Sequence, residues 1–307
     1  MRWFLVLFTL LSVTAYTDDL AFQPKENGVY AFNTPTVNGV LNAGKMPQGV
    51  VSLIDTKSKK EVVLPPGIMG YYRLMTTNDR WGTSFRQWPS HDKLLPDGSV
   101  QITWPPATDH PIELIANYKW IGSNTLELKT TVTSKRNLRR AEVFIGSYFS
   151  NDMNAFVYAK PTQHSPEKPS FIPARVNALL DGCYLAFPRN SMSAQLFFDG
   201  RWDKGNNPAH FSVTRFYDLP MAMRVDPTSK LGVLLMGRPE TCFGVAMSYD
   251  KEPPDGVANH SSLYFSEFGV DLVPGQTVHS VHRMVIDYDI TAAKALSLYE
   301  KFIKETE

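Results

Sequence analysis

The chain has 307 residues, 43% of them hydrophobic, enough for one large domain or two ordinary ones with a substantial core. Its 31 Lys and Arg balance 30 Asp and Glu, and the formal charge of +1 leaves no global field to gather nucleic acid or anionic lipid. A general polyanion binder is excluded on that ground, and a local basic patch is not.

Met1-Arg2, an apolar run from Trp3 to Leu11 and the small residues Ser12-Val13-Thr14-Ala15 form a signal-peptide pattern, with cleavage expected after Ala15. The run is short for a bilayer span, which needs about 20 apolar residues, and no later stretch approaches that length. The expectation is a secreted or periplasmic protein with no membrane contact once residues 1–15 are removed; an uncleaved anchor is the rival reading. With no Cys near the cleavage point, lipid attachment is not expected.

From residue 20 to 307 the sequence reads as a single domain of short strands broken by Gly, Pro, Asn and Asp turns. Strands are expected at Gly49 to Asp55, Val100 to Trp104, Ile112 to Trp120, Thr125 to Thr133, Arg140 to Tyr148, Gly182 to Phe187, Ala194 to Phe198, Gly232 to Met236, Phe243 to Ser248 and Val278 to Ile286. In Thr125 to Thr133 the alternation puts Leu126 and Leu128 toward a core and Glu127 and Lys129 toward water. Only the end is helical: Ala292, Ala295, Leu296, Tyr299, Phe302 and Ile303 share one face behind a Thr291 cap, a stripe expected to pack on the edge of the sandwich. The Pro-rich stretch Lys160 to Pro173 reads as an insertion or a crossover. The fold class is therefore all-β, a large antiparallel two-sheet sandwich with one C-terminal helix.

Cys183 and Cys242 each lie in an apolar strand-like segment, so both core packing and a single disulfide are open, while two such cysteines make no zinc site. His279 and His282 sit at odd spacing on one strand and face opposite sides of a sheet. No metal and no cofactor are expected. Asn259-His260-Ser261 is a glycosylation sequon.

Phe243 to Ser248 followed by Pro253-Pro254-Asp255-Gly256, then Leu272-Val273-Pro274-Gly275-Gln276 and a closing strand, resembles the last strands of the galactose mutarotase-like superfamily. Ser147-Tyr148-Phe149 followed by Val157-Tyr158 is similar to secreted members of that group. The resemblance implies a supersandwich fold, a carbohydrate ligand and, where chemistry occurs, isomerisation at the anomeric carbon by a carboxylate base and a His acid. This chain has Ser248 at the position where the family places the carboxylate, with Glu240, Asp250 and Glu267 as substitutes in a shifted register. Related sandwiches also imply a polysaccharide lyase or glycosidase, for which Tyr148, Tyr217 and His210 are the candidates, and a non-catalytic binding module. The catalytic candidates are thus His210, Tyr217 and Glu267.

Sugars are held by aromatic faces and planar polar groups, and a guanidinium fork suits carboxylated or sulfated ones. The segment Tyr71 to His91 has that composition and supplies Arg73, Arg80, Trp81, Arg86, Trp88 and His91 as expected binding residues. Tyr148 and Arg215, the latter beside His210 in a second aromatic cluster from Phe198 to Tyr217, complete the set. The plain alternative is a long surface loop over packed Trp. HExxH, GxSxG and P-loop motifs are absent from the sequence, so protease, esterase and nucleotide chemistry are unsupported. Nucleic acid is not an expected partner.

Overall fold

Strands dominate because apolar residues recur at every second position and turn residues break the runs. In Ile112–Gly122, for example, Ile112, Leu114, Ala116, Tyr118 and Trp120 are buried and the residues between them are less so. The computed structural model describes residues 20–44, 47–163, 168–174, 184–204, 209–248 and 261–306. The leader, Cys183, Asp250 and the Asn259-His260 pair lie outside them.

β1 (Gln23–Pro24), β2 (Val29–Asn33), β3 (Val37–Asn42) and β4 (Gly49–Asp55) form a four-stranded antiparallel meander. Next come β5 (Gly70–Thr76), β6 (Asp79–Trp81), β7 (His91–Leu94), β8 (Val100–Trp104), β9 (Ile112–Gly122), β10 (Thr125–Ser134), β11 (Leu138–Tyr148), β12 (Asn154–Ala159) and β13 (Ser170–Pro173). Then follow β14 (Tyr184–Pro188), the single-turn helix α1 (Ser191–Ala194), β15 (Phe211–Val213), β16 (Tyr217–Val225), β17 (Leu231–Gly237), β18 (Cys242–Met247), β19 (Ser262–Leu272), β20 (Thr277–Tyr288) and helix α2 (Ala292–Thr306). One sheet has nine strands in the order β13-β12-β16-β17-β20-β10-β9-β8-β7; the other has seven in the order β15-β14-β18-β19-β11-β5-β6.

The inner faces of the two large sheets share one core. Leu74, Val143, Ile145, Val245, Leu263 and Phe265 from the seven-stranded sheet meet Leu126, Leu128, Leu235, Met284 and Ile286 from the nine-stranded one. Each sheet also has an apolar outer face. On the nine-stranded sheet, Met221, Met223, Leu234, Met236 and Val285 are covered by Ala295, Tyr299 and Phe302 of α2. The helix thus packs on the sheet's face instead of the expected edge, because that face is itself apolar. The Thr291 hydroxyl caps α2 by accepting from the Lys294 amide at 3.2 Å. No helix among the described residues is long and apolar enough to cross a membrane.

The strand expected at Ala194 to Phe198 is instead the end of α1 and a 3-10 turn at Gln195–Phe197. Asn190 decides this locally, since its side-chain oxygen accepts from the Ser193 amide at 2.9 Å and starts a helical turn. Leu196 and Phe197 then both turn into one aromatic cluster, whereas neighbouring residues of a strand point to opposite faces. Cys242 is a free buried cysteine, and burial pushes its thiol pKa well up.

Candidate functional site

The outer face of the seven-stranded sheet is built by the same alternation that builds the core. In β11, Val143 and Ile145 point inward, which turns Glu142, Phe144 and Tyr148 outward; in β19, Leu263 and Phe265 point inward and Tyr264 and Ser266 outward. Gly146 pairs with Tyr264, and a Cβ on Gly146 would lie 3.3 Å from the Tyr148 ring and 3.6 Å from the Tyr264 ring. The glycine therefore leaves a floor on which the two rings lie, 6.0 Å apart edge to face.

Part of this face is roofed by residues 190–204. Phe197 lies over Gly244 so closely that a Cβ there would be 2.6 Å from the ring, and Trp202 meets Phe144 edge to face at 4.9 Å. The roof is pinned by Arg201, which is wholly buried. It donates to Glu142 at 2.7 Å, to both Asp199 oxygens at 2.8 Å and to the Arg140 carbonyl at 3.0 Å. Burial works against its charge, yet Asp199 and Glu142 hold its pKa above the ordinary arginine value. Arg80 donates to the carbonyls of Arg201 and Trp202 at 2.8 and 2.7 Å and lies 5.1 Å from the centre of the Trp202 ring.

Beside the roof the face is partly exposed. Tyr72, Tyr148 and Tyr184 are half-buried there, with Tyr264 beneath them. Burial, first, and the neighbouring tyrosines raise the Tyr264 pKa well above the ordinary phenol value, so it is a neutral phenol. The Arg86 guanidinium is 5.4 Å from the centre of the Tyr148 ring and 6.0 Å from that of Tyr72; Arg73 is 5.4 Å from the same Tyr72 ring. Arg86 reaches this position because its turn is held from below. Phe85 is buried with its carbonyl accepting from the Trp104 indole at 3.1 Å, and Ser84 caps the turn. Arg73 donates to the Gly82 carbonyl at 2.8 Å, but its Nε, and Nε and Nη2 of Arg86, are buried without any hydrogen-bond partner.

Of the residues expected from the sequence, Arg73, Arg86 and Tyr148 are brought together around Tyr72, and Arg80 sits next to them holding the roof. Trp81 instead packs against the main core with its indole N–H on Thr76 at 3.0 Å. Trp88 is buried, stacked on His110 at 3.9 Å. His91 is exposed on β7, the edge strand of the other large sheet. Arg215 is half-buried just beyond β15, at the far edge of the seven-stranded sheet from β5 and β6.

The three catalytic candidates do not converge. His210 is exposed beside β15, whereas Tyr217 and Glu267 are buried in the sandwich. The Tyr217 hydroxyl donates to the Cys242 carbonyl at 2.6 Å, and burial raises its pKa far above the ordinary phenol value. Glu267 has no exposure and lies 2.9 Å from Nε2 of His282 on the facing sheet. At these positions both side chains bridge core elements and face away from the open tyrosines. Ser248 is also buried, its hydroxyl 3.0 Å from that of Ser262, and Glu240 is exposed beside Arg238. His279 is exposed against Thr131 at 3.0 Å, on the opposite side of β20 from His282.

Tyr72, Tyr184, Tyr264 and Trp202 were not among the expected binding residues. For Tyr264 the signal is present in the strand period: with Leu263 and Phe265 inward, it must face out. Trp202 gives no such signal, since it reaches the site on a roof that no periodicity announces.

No protein-family model matches the sequence, and a search of curated proteins finds no match. Among solved structures, the chain is similar to a heparan sulfate lyase from Pedobacter heparinus at 8% identity and a TM-score of 0.46. The similarity covers 89% of this chain but only 37% of the lyase. A galactose 1-epimerase from Lactobacillus acidophilus is similar at 11% identity and a TM-score of 0.46, over 87% of this chain and 93% of that one. An aldose epimerase homologue from C. elegans is similar at 10% identity and a TM-score of 0.46, over 88% and 98%. Values this low transfer neither an activity nor a site residue.

Proposed function

We propose that this is an exported carbohydrate-binding protein whose ligand lies on the open outer face of the seven-stranded sheet. The observation that carries the reading is the set of half-buried tyrosines, Tyr72, Tyr148 and Tyr184, with the Arg86 guanidinium over two of their rings. Phenol faces take the C–H surface of a pyranose, and phenol hydroxyls and guanidinium N–H groups take its hydroxyls. Glu142 points to this face but is buried and committed to Arg201, so it is not available as a base. Binding is therefore the reading, and chemistry would be an addition to it. The apolar leader fits a ligand met outside the cytoplasm.

A glycan array probed with the mature protein and with Tyr148→Ala tests this. The expected result is a glycan bound by the former and lost in the latter, with Trp81→Phe unaffected. Equal binding by the Tyr148→Ala protein, or no carbohydrate bound by either, would sink the proposal. Anomer exchange by NMR and ultraviolet absorbance on each hit read out an isomerase or a lyase.

A further inference from the structure

The sugar reading leaves one feature unexplained, which is the state of two arginines. Arg73 and Arg86 flank the ring of Tyr72 at 5.4 and 6.0 Å, so two positive charges share one aromatic neighbour. The ion pairs identified among the described residues give neither a carboxylate, whereas Arg201 holds Glu142 and Asp199 and Arg283 holds Glu127 and Glu305. An unpartnered Nε alone marks no site, since Nε of Arg224 and of Arg283 is also buried without an acceptor; Arg86 differs in having a second unpartnered donor on the same edge. Nε and Nη2 of Arg86 are both buried and both without an acceptor, and Nε of Arg73 is in the same condition. Nε–H and Nη2–H lie along one edge of the guanidinium and point the same way, the edge that grips a carboxylate or sulfate with two parallel hydrogen bonds. A neutral sugar hydroxyl would satisfy one of these donors and leave the like charges uncompensated. An anionic group satisfies both and neutralises the pair.

We infer that the carbohydrate taken by this face carries an anionic substituent, a carboxylate or a sulfate ester, seated on Arg86 and Arg73 while its ring lies against Tyr72 and Tyr148. The inference rests on the carbohydrate reading of the same face. Nε and Nη2 of Arg86 have no acceptor to give up among the described residues, so turning that edge toward a ligand costs only a shift against the Tyr72 and Tyr148 rings. The phenols around it lower the local dielectric, which strengthens an ion pair formed there relative to one in water. Arg80 is occupied with the carbonyls of the roof and keeps the floor of the site in place.

Calorimetric titration distinguishes the possibilities. The probes are oligogalacturonate, its methyl ester, sulfated dextran, unsulfated dextran of the same length, and polyglutamate as a non-sugar polyanion. The expected result is at least tenfold tighter binding of one anionic carbohydrate than of its neutral counterpart and of polyglutamate. Oligogalacturonate as the better ligand assigns a carboxylate, and sulfated dextran assigns a sulfate. Arg86→Gln should lose at least tenfold in affinity for that ligand, and Arg86→Lys should not restore it, because an ammonium lacks the paired donors. Equal binding of acid and methyl ester and of sulfated and unsulfated dextran, or binding of polyglutamate as tight as that of the sugars, would overturn the inference. If a neutral sugar binds, is lost in Tyr148→Ala and is kept in Arg86→Gln, the anionic inference fails while the carbohydrate reading stands. If no carbohydrate binds, both fail.

Discussion

The two large sheets have outer faces of similar apolar character and opposite fates. On the nine-stranded sheet α2 closes over the methionines, and the Arg283 guanidinium beneath it is shut in by Glu127 at 2.6 Å and Glu305 at 2.7 Å. On the seven-stranded sheet the roof from 190 to 204 covers part of the aromatics, and among the described residues Arg86 lies between tyrosines without a carboxylate. Arg283 meets its carboxylates within the fold, and under the proposed reading Arg86 meets its own in an outside ligand.

The contrast breaks most severely at Arg201. Its truncation in Arg201→Ala leaves Glu142 buried without a partner and should cost about 3–5 kcal/mol in chemical denaturation. A loss below about 1 kcal/mol would mean that the roof is not held by this network. On the closed face, Phe302→Ala empties a fully buried site under α2 and should cost about 3–4 kcal/mol, read in the same way, with carbohydrate binding intact. Gly244→Ala pushes a methyl against Phe197 at 2.6 Å, and a loss of about 1–3 kcal/mol, seen as a lower Tm, is expected together with weakened binding as the roof lifts.

Acid separates the faces more gently. Lys60, hydrogen-bonded at 2.7 Å, is the largest cause that holds the Asp226 pKa below the ordinary carboxylate value, at the turn after β16. A lowered pKa means that the stability from this pair is present above an unfolded pKa of about 4 and is lost as the pH falls toward the folded value. Denaturation midpoints should therefore drop with acid below about pH 4, and Asp226→Asn should lower the midpoint at neutral pH while flattening that drop. The smallest effect belongs to Arg86→Gln, which removes no side-chain hydrogen bond found among the described residues, only the contacts with the Tyr72 and Tyr148 rings, and should leave stability within about 1 kcal/mol of the parent.

Much of the fold is legible in the sequence because strands such as Val100–Trp104 and Ile112–Gly122 alternate buried and less buried positions. Gly49–Asp55 and Val100–Trp104 agree to the residue, and the α2 stripe and its Thr291 cap follow from spacing alone. Only part of the site can be read that way. Arg73, Arg86 and Tyr148 are marked by composition, but Trp81 and Trp88 share it and pack against the core, since a tryptophan beside a core offers it a large apolar surface. Glu267 reads as a solvated or catalytic acid and is instead matched across the sandwich by His282, a pairing between strands of different sheets that no local pattern encodes.

Hydrogen–deuterium exchange with and without a bound oligosaccharide tests the contrast most directly. Exchange should slow on binding in the peptides covering 70–76, 84–88 and 143–148, with 292–306 unchanged. Protection confined to α2, or spread equally over both outer faces, would contradict it.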